Sequence, residues 1–127
     1  MRDNFKIFGA FFGLLAVIIG AFGTHGLSDV LSVDQLQSFE TGVKYQMYHA
    51  LLMLILSFAL GKNAKYQKAI FYLLCFGIIF FSFSIYGLAT NELYNFDFTK
   101  LAFLTPIGGS LMILGWILMI ISFLKKN

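Results

Sequence analysis

The chain has 127 residues, 59% hydrophobic and 12% charged, with a formal net charge of +3. A soluble domain carries about 25% charged residues, so this composition, with a mean hydropathy of +0.82 and apolar residues in long runs, excludes an ordinary soluble fold and indicates one integral membrane domain over 1–127. Its basic residues lie at the ends of apolar runs, which argues against a nucleic-acid partner, and the lone Cys75 excludes an intrachain disulfide or a CxxC metal site.

Arg2 and Lys6 flank an apolar run, Ile7 to Phe22. With Phe5 it is long enough to cross a hydrocarbon core of about 30 Å. Ala21-Phe22-Gly23 loosely fits a signal cleavage site. The run is long for a signal, however, and holds two small-xxx-small pairs, Gly9/Gly13 and Ala16/Gly20, suited to close helix packing. A retained first helix is therefore expected. Gly23 and Gly26 are read as ending it through positive φ, with His25 at its exit.

Ser32-Val33-Asp34-Gln35 is a capping box. Leu36, Phe39, Val43, Met47 and Ala50 follow at spacings of three and four, which predicts one helix from Val33 to Leu60. Its first turns are amphipathic and extend outward, and from Val43 it spans. Gly61 to Lys68 is a loop with Lys62, Lys65 and Lys68. Ala69 to Ala89 is a third span, with Gly77 and Ser84 on one face. After the polar stretch Asn91 to Lys100, Thr105-Pro106 reads as the N-cap and first position of a fourth helix. That helix ends at Leu124, before Lys125-Lys126, and Gly108 and Gly115 give it a small-residue face for a neighbour.

The fold class is thus all-α integral membrane protein: a four-transmembrane-helix up-down bundle, helix 2 extended outward by an amphipathic segment. Arg2, Lys6, Lys62, Lys65, Lys68, Lys125 and Lys126 fall on one side, and Lys44 and Lys100 on the other. The positive-inside rule places both termini in the cytoplasm of a plasma (inner) membrane.

Those spans collect polar residues at the outer level: His25, Lys44, Tyr45, Gln46, His49, Tyr86 and Thr105, with Ser82 and Ser84 nearby. Tyr45, Gln46 and His49 share a helix face. In lipid such groups must find partners. The leading reading is interhelical glue. A headgroup pocket using Lys44, and a proton or ion step using His49 and His25, are alternatives. A metal or haem site is weakest, since two histidines 24 residues apart do not make a ligand pattern. Trp116, mid-helix, needs an acceptor for its indole N–H or a protein-facing position.

The motifs Gly20-Ala21-Phe22-Gly23-Thr24-His25-Gly26-Leu27, Tyr45-Gln46-Met47-Tyr48-His49-Ala50-Leu51, Phe81-Ser82-Phe83-Ser84-Ile85-Tyr86, Thr105-Pro106-Ile107-Gly108-Gly109 and Gly115-Trp116 resemble, in that order, the small membrane family catalogued as domain of unknown function 423. That family includes the YgdD-like and YwdK-like inner-membrane proteins and transmembrane protein 256. Thr24 departs from its common alanine and Phe83 from its common glycine, which puts close backbone approach at Phe83 in doubt. The resemblance implies a small polytopic plasma-membrane protein, with no reaction and no catalytic residues to carry over. Association of some relatives with membrane integrity suits the glue reading.

The expectation is a non-enzymatic structural or binding protein without cofactor. Its partners would be the bilayer, a bound lipid, a second copy or another membrane protein. The alternative function is a small oligomeric transporter or channel.

Overall fold

The computed structural model describes residues 1–93 and 97–125, apart from the Phe98 side chain. Lys126, counted above among the basic residues of one end, lies outside the described residues. The described chain is helical throughout its regular structure. Four long helices succeed one another in order: α1 (Arg2–Leu27), α2 (Val33–Ala59), α3 (Gln67–Ala89) and α4 (Leu104–Leu124). Short 3-10 turns, Asn91–Leu93 and Phe98–Leu101, lie between α3 and α4.

Each helix forms where its local code demands. The capping box of α2 is in place: Gln35 N–H donates to Ser32 Oγ at 3.1 Å, and Ser32 N–H donates to Gln35 Oε1 at 2.9 Å. Two donors orphaned at a helix start are thereby satisfied reciprocally. Among the described residues, three stretches are long and apolar enough to cross a membrane: Arg2–Leu27, Gln67–Ala89 and Thr99–Leu124. α2 falls short by composition, because Asp34, Gln35, Gln37, Glu40, Lys44, Gln46 and His49 fill its first half.

The helices pack as an antiparallel series: α1 along α2, α2 against α3, and α3 along α4. Small residues set the spacing where the sequence pattern expected them. A Cβ on Gly9 would stand 3.0 Å from Ala50 O, and Ala16, two turns further along α1, is also buried. Between α3 and α4 the approach is closer still. A Cβ on Gly77 would stand 2.7 Å from Met112 Cγ, and one on Gly108 would stand 2.8 Å from Phe80 C and from Phe81 Cα. Close backbone approach on α3 therefore falls at Phe80 and Phe81. Phe83 instead packs edge-on against Tyr86 at 5.4 Å. Phe5, Phe12, Met53, Leu56, Ile70, Leu74, Ile78 and Met112 fill the apolar core.

Both ends of the chain of helices meet at one end of the molecule. Arg2 Nη2 donates to Leu60 O at 3.4 Å, and Lys125 borders the same hollow as Lys62 and Lys65.

Two expectations are corrected. Gly23 and Gly26 do not break α1, for no described glycine has positive φ and the helix runs to Leu27. In place of a break, α1 widens into a π turn over Ile19–Gly23. Gly23 serves approach rather than reversal, since a Cβ there would stand 3.0 Å from Phe39 Cζ. Thr105 is not the N-cap of α4, and Pro106 is not its first residue. The helix begins at Leu104 after Phe103, with no side-chain cap. The preceding turn takes that role: Thr105 N–H bonds to Ala102 O at 3.3 Å. Pro106 still sits among the first four positions, where a missing N–H breaks no helical bond. A second π turn, unanticipated, lies in α3 at Ile79–Phe83.

Gly108 and Gly26 give opposite expectations. Gly108→Ala should lower the melting midpoint in detergent, at a cost of about 1–3 kcal/mol of overpacking. Gly26 is helical with nothing within 4 Å of its missing Cβ. Gly26→Ala should therefore raise the midpoint slightly, by about 0.4–1 kcal/mol of unfolded-state entropy. Circular dichroism melts of the two variants check this contrast.

Candidate functional site

The polar side chains of α2 stand in line with its core. Gly42, Gln46, His49, Met53 and Leu56 recur at spacings of three and four and are all buried. Polar and apolar residues share one stripe, so the polar ones must be satisfied across helix boundaries.

Gln46, fully buried, bridges three helices. Its Nε2 donates to Phe12 O of α1 at 2.8 Å, and its Oε1 accepts from Tyr86 Oη of α3 at 2.6 Å. A carbonyl only accepts, so Phe12 fixes which way the amide points. One turn earlier on α2, Ser82 Oγ donates to Gly42 O at 2.8 Å, also buried. Gly42 has to be glycine, because a Cβ would stand 2.7 Å from Tyr86 Cε1. The Tyr86 ring lies 5.0 Å from that of Phe39.

His49 forms a second node. Trp116 Nε1 of α4 donates to His49 Nε2 at 3.1 Å, and His49 Nδ1 lies 2.8 Å from Tyr45 O. An indole N–H can only donate, so Nε2 is the acceptor nitrogen. The proton of the neutral ring is then on Nδ1, donated to Tyr45 O. Both nitrogens are engaged, and neither faces a hydroxyl.

A third contact joins α3 to the start of α4. Ser84 Oγ donates to Phe81 O at 2.9 Å and lies 2.6 Å from Thr105 Oγ1. With the single serine proton on the carbonyl, Thr105 is the donor of that pair.

Both π turns lie against the same part of α2. A Cβ on Gly20 would stand 2.9 Å from Val43 Cγ1, Gly23 abuts Phe39, and Ser82 bonds Gly42. An extra residue in a helical turn re-aims the side chains beyond it. Here α1 and α3 each do so where they flank Phe39, Gly42 and Val43.

The residues expected at this level do not all meet. Gln46, His49 and Tyr86 enter the buried network, and Thr105 joins α3 through Ser84. Tyr45 contributes its backbone carbonyl and a ring 5.2 Å from Phe81, with its side chain partly exposed. Lys44 and His25 are exposed. Among the described residues, no hydrogen bond or ring contact joins His25 to His49. A hollow of about 370 Å³ beside Thr105 is lined by Asp34, Gln35, Ser38, Ile85, Leu88, Ala89 and Ala102, and so reaches neither Gln46 nor His49. Ser82, placed near this level by the sequence, joins the network, and Trp116 is a member beyond the residues expected there. The mid-helix indole was the signal for the second, since it required an acceptor.

Residues 19–109 match the family described as "Protein of unknown function (DUF423)". The chain is similar to a UPF0382 membrane protein of Staphylococcus epidermidis, 41% identical over 95% of both chains. It is 37% identical to the UPF0382 membrane protein YwdK of Bacillus subtilis, over 95% of this chain and 96% of that one. The UPF0382 inner membrane protein YgdD of Escherichia coli is 34% identical, over 94% of this chain and 88% of its own. No solved structure matches.

The network makes its own prediction. Gln46→Leu leaves the Tyr86 hydroxyl buried without an acceptor and should cost about 1–3 kcal/mol. Adding Tyr86→Phe removes that orphan. The double variant should then be more stable than the sum of the two single losses, by about 0.5 kcal/mol or more. Detergent melts of the four proteins of the cycle measure the coupling, and strict additivity would contradict the bond.

Proposed function

We propose, for a chain that belongs to the DUF423 family of membrane proteins, a structural or binding role in which the buried polar network holds four membrane-crossing helices in one packing. A single observation carries this. Every side chain in the network bonds to a different helix or to backbone: Gln46 to α1 and α3, Ser82 to α2, and Trp116 of α4 to His49. Groups arranged in that way fix register. Their donors and acceptors are met within the protein, which supports a structural or binding reading over a catalytic one.

The same bonds support a crossing by α2. At about 1.5 Å per residue it is roughly 40 Å long, enough for a bilayer core. Its polar half is the obstacle, and Gln46 and His49 are relieved of it by partners inside the protein. The first turns, from Val33, then project beyond the core as an amphipathic extension. Four crossings put both termini on one side. The cations Arg2, Lys6, Lys62, Lys65 and Lys68 at that end mark it as cytoplasmic in a bacterial plasma membrane. Self-association or contact with another membrane protein is how such a scaffold would act.

Two measurements test the proposal. In a Cys75→Ser background, a cysteine at position 29 should react with a membrane-impermeant maleimide in intact cells, and one at position 63 only after permeabilisation. The reverse pattern, or labelling of both from outside, overturns the orientation. For the role itself, liposomes bearing the purified protein should pass no ion or proton flux between about pH 5 and 8, the range over which histidine titrates. Flux that tracks such a titration and disappears in His49→Gln would replace the structural reading with a transport one.

A further inference from the structure

The opposite end of the molecule carries a feature that the network does not use. A cavity of about 720 Å³ opens where α2 and α4 end side by side. It is bordered by Phe58 to Leu60 of α2, the loop Gly61 to Lys65, and Ser122, Phe123 and Lys125 of α4. That volume lies within the range of small-molecule sites, about 300–1,000 Å³. Among the described residues three lysines line it, Lys62, Lys65 and Lys125, and no acidic residue does. Arg2 adds a cation at its margin through the bond to Leu60 O, and Lys6 Nζ sits 5.0 Å over the ring of Phe58.

The lining also holds an unsatisfied polar atom. Ser122 is 5% exposed, and its Oγ has no hydrogen-bond partner among the described residues. A buried hydroxyl without a partner is costly and calls for an explanation. A serine near the end of an apolar helix, its residue at the wall of a basic cavity, has one available: rotation about χ1 would turn the buried Oγ to a ligand acceptor. The acceptor favoured by three ammonium groups is a phosphate, through charge-assisted bonds.

The cavity is not uniformly polar. Phe58 is 76% exposed and Phe123 44%, and one turn back along the same helices Ile55 and Ile120 are also exposed. Among the described residues α2 and α4 share no extensive interface. A basic chamber continuous with exposed aromatic and aliphatic side chains, in a membrane protein, has the polarity of a phospholipid turned on end. We propose that this cavity binds the phosphate of an anionic phospholipid headgroup, with Lys62, Lys65 and Lys125 as its cations and Ser122 as a neutral donor, and with acyl chains along Phe58, Phe123 and Ile120. The site is separate from the buried network and needs only that this end of the protein meet a membrane surface, whichever face that is.

The experiment compares wild type with Ser122→Ala, and with Lys62→Ala, Lys65→Ala and Lys125→Ala alone and combined. Each protein is purified in detergent and titrated with phosphatidylglycerol or phosphatidylcholine, with melting midpoint and retained lipid by native mass spectrometry as readouts. A cation near an anionic surface contributes enough for about a fivefold change in affinity. Each lysine variant should therefore weaken phosphatidylglycerol binding about fivefold, the triple variant roughly a hundredfold, and added salt should reduce wild-type binding. Ser122→Ala should keep or slightly raise the lipid-free midpoint, because it removes an orphaned hydroxyl, while losing part of the phosphatidylglycerol shift. Equal shifts with both lipids, or lysine variants that bind phosphatidylglycerol as wild type does, overturn the proposal. So does a full stabilisation by millimolar glycerol 3-phosphate, which would make the ligand a soluble phosphate ester.

Discussion

A primary amide in an apolar interior must be met on both its donor and acceptor sides, and Gln46 is met by two different helices. This constrains more than the amide. The Phe12 carbonyl already belongs to the α1 ladder, so its position marks the register of α1 against α2. Sliding α1 by one residue would move that carbonyl by about 1.5 Å along the axis and by about 100° around it, and the bond would be lost. Tyr86 fixes α3 against α2 in the same way. Apolar contacts between membrane helices discriminate weakly among registers, because lipid tails are as apolar as the helices themselves. A few directional bonds therefore carry the choice.

Those bonds require close approach, and the glycines supply it. Gly42 admits the Tyr86 ring to the backbone of α2, Gly20 and Gly23 admit Val43 and Phe39 to α1, and Gly108 brings α4 onto the backbone of α3. Both π turns sit among these close approaches. A straight α-helix repeats its faces at a fixed phase, and a wide turn is a way to change phase without ending the helix. In α3 the turn contains Ser82, which faces Gly42 O, and leads into Ser84, which faces Thr105. One helix thus serves α2 and α4 in succession.

How far the sequence was legible depends on the range of each interaction. The Ser32/Gln35 capping box is complete within four residues and was readable, as were the small-residue faces at Gly9, Gly77 and Gly108, which repeat at helical spacing. The stripe through Gln46 and His49 was readable for the same reason. The His49–Trp116 bond was not, for it joins residues 67 apart. Each end announced an unmet need, but nothing local said that the needs were mutual. Thr105-Pro106 misled because a capping pattern is defined by sequence alone, whereas the threonine hydroxyl went to Ser84 on another helix. Gly23 misled because glycine suits both positive φ and tight packing, and only the position of Phe39 decides between them. The π turns have no sequence signature at the level of periodicity, which reads a helix as continuous through them.

The two ends of the molecule differ in what their polar atoms still lack. At the Gln46–His49 level each buried donor has an acceptor from another helix or from the backbone, so a ligand arriving there would have to displace a bond already made. At the Ser122 level one buried hydroxyl lacks a partner among the described residues, and Lys62, Lys65 and Lys125 line the open cavity beside it. Adding an anion at the first place breaks good contacts, whereas adding one at the second relieves both the orphaned hydroxyl and the clustered charge. The free energy available for binding is therefore greater at the end where sequence patterning saw only topogenic lysines. Positive charge that orients a helix bundle in a membrane also stands where phosphate headgroups are, and a cavity between two helix ends is enough to turn that general attraction into a specific site.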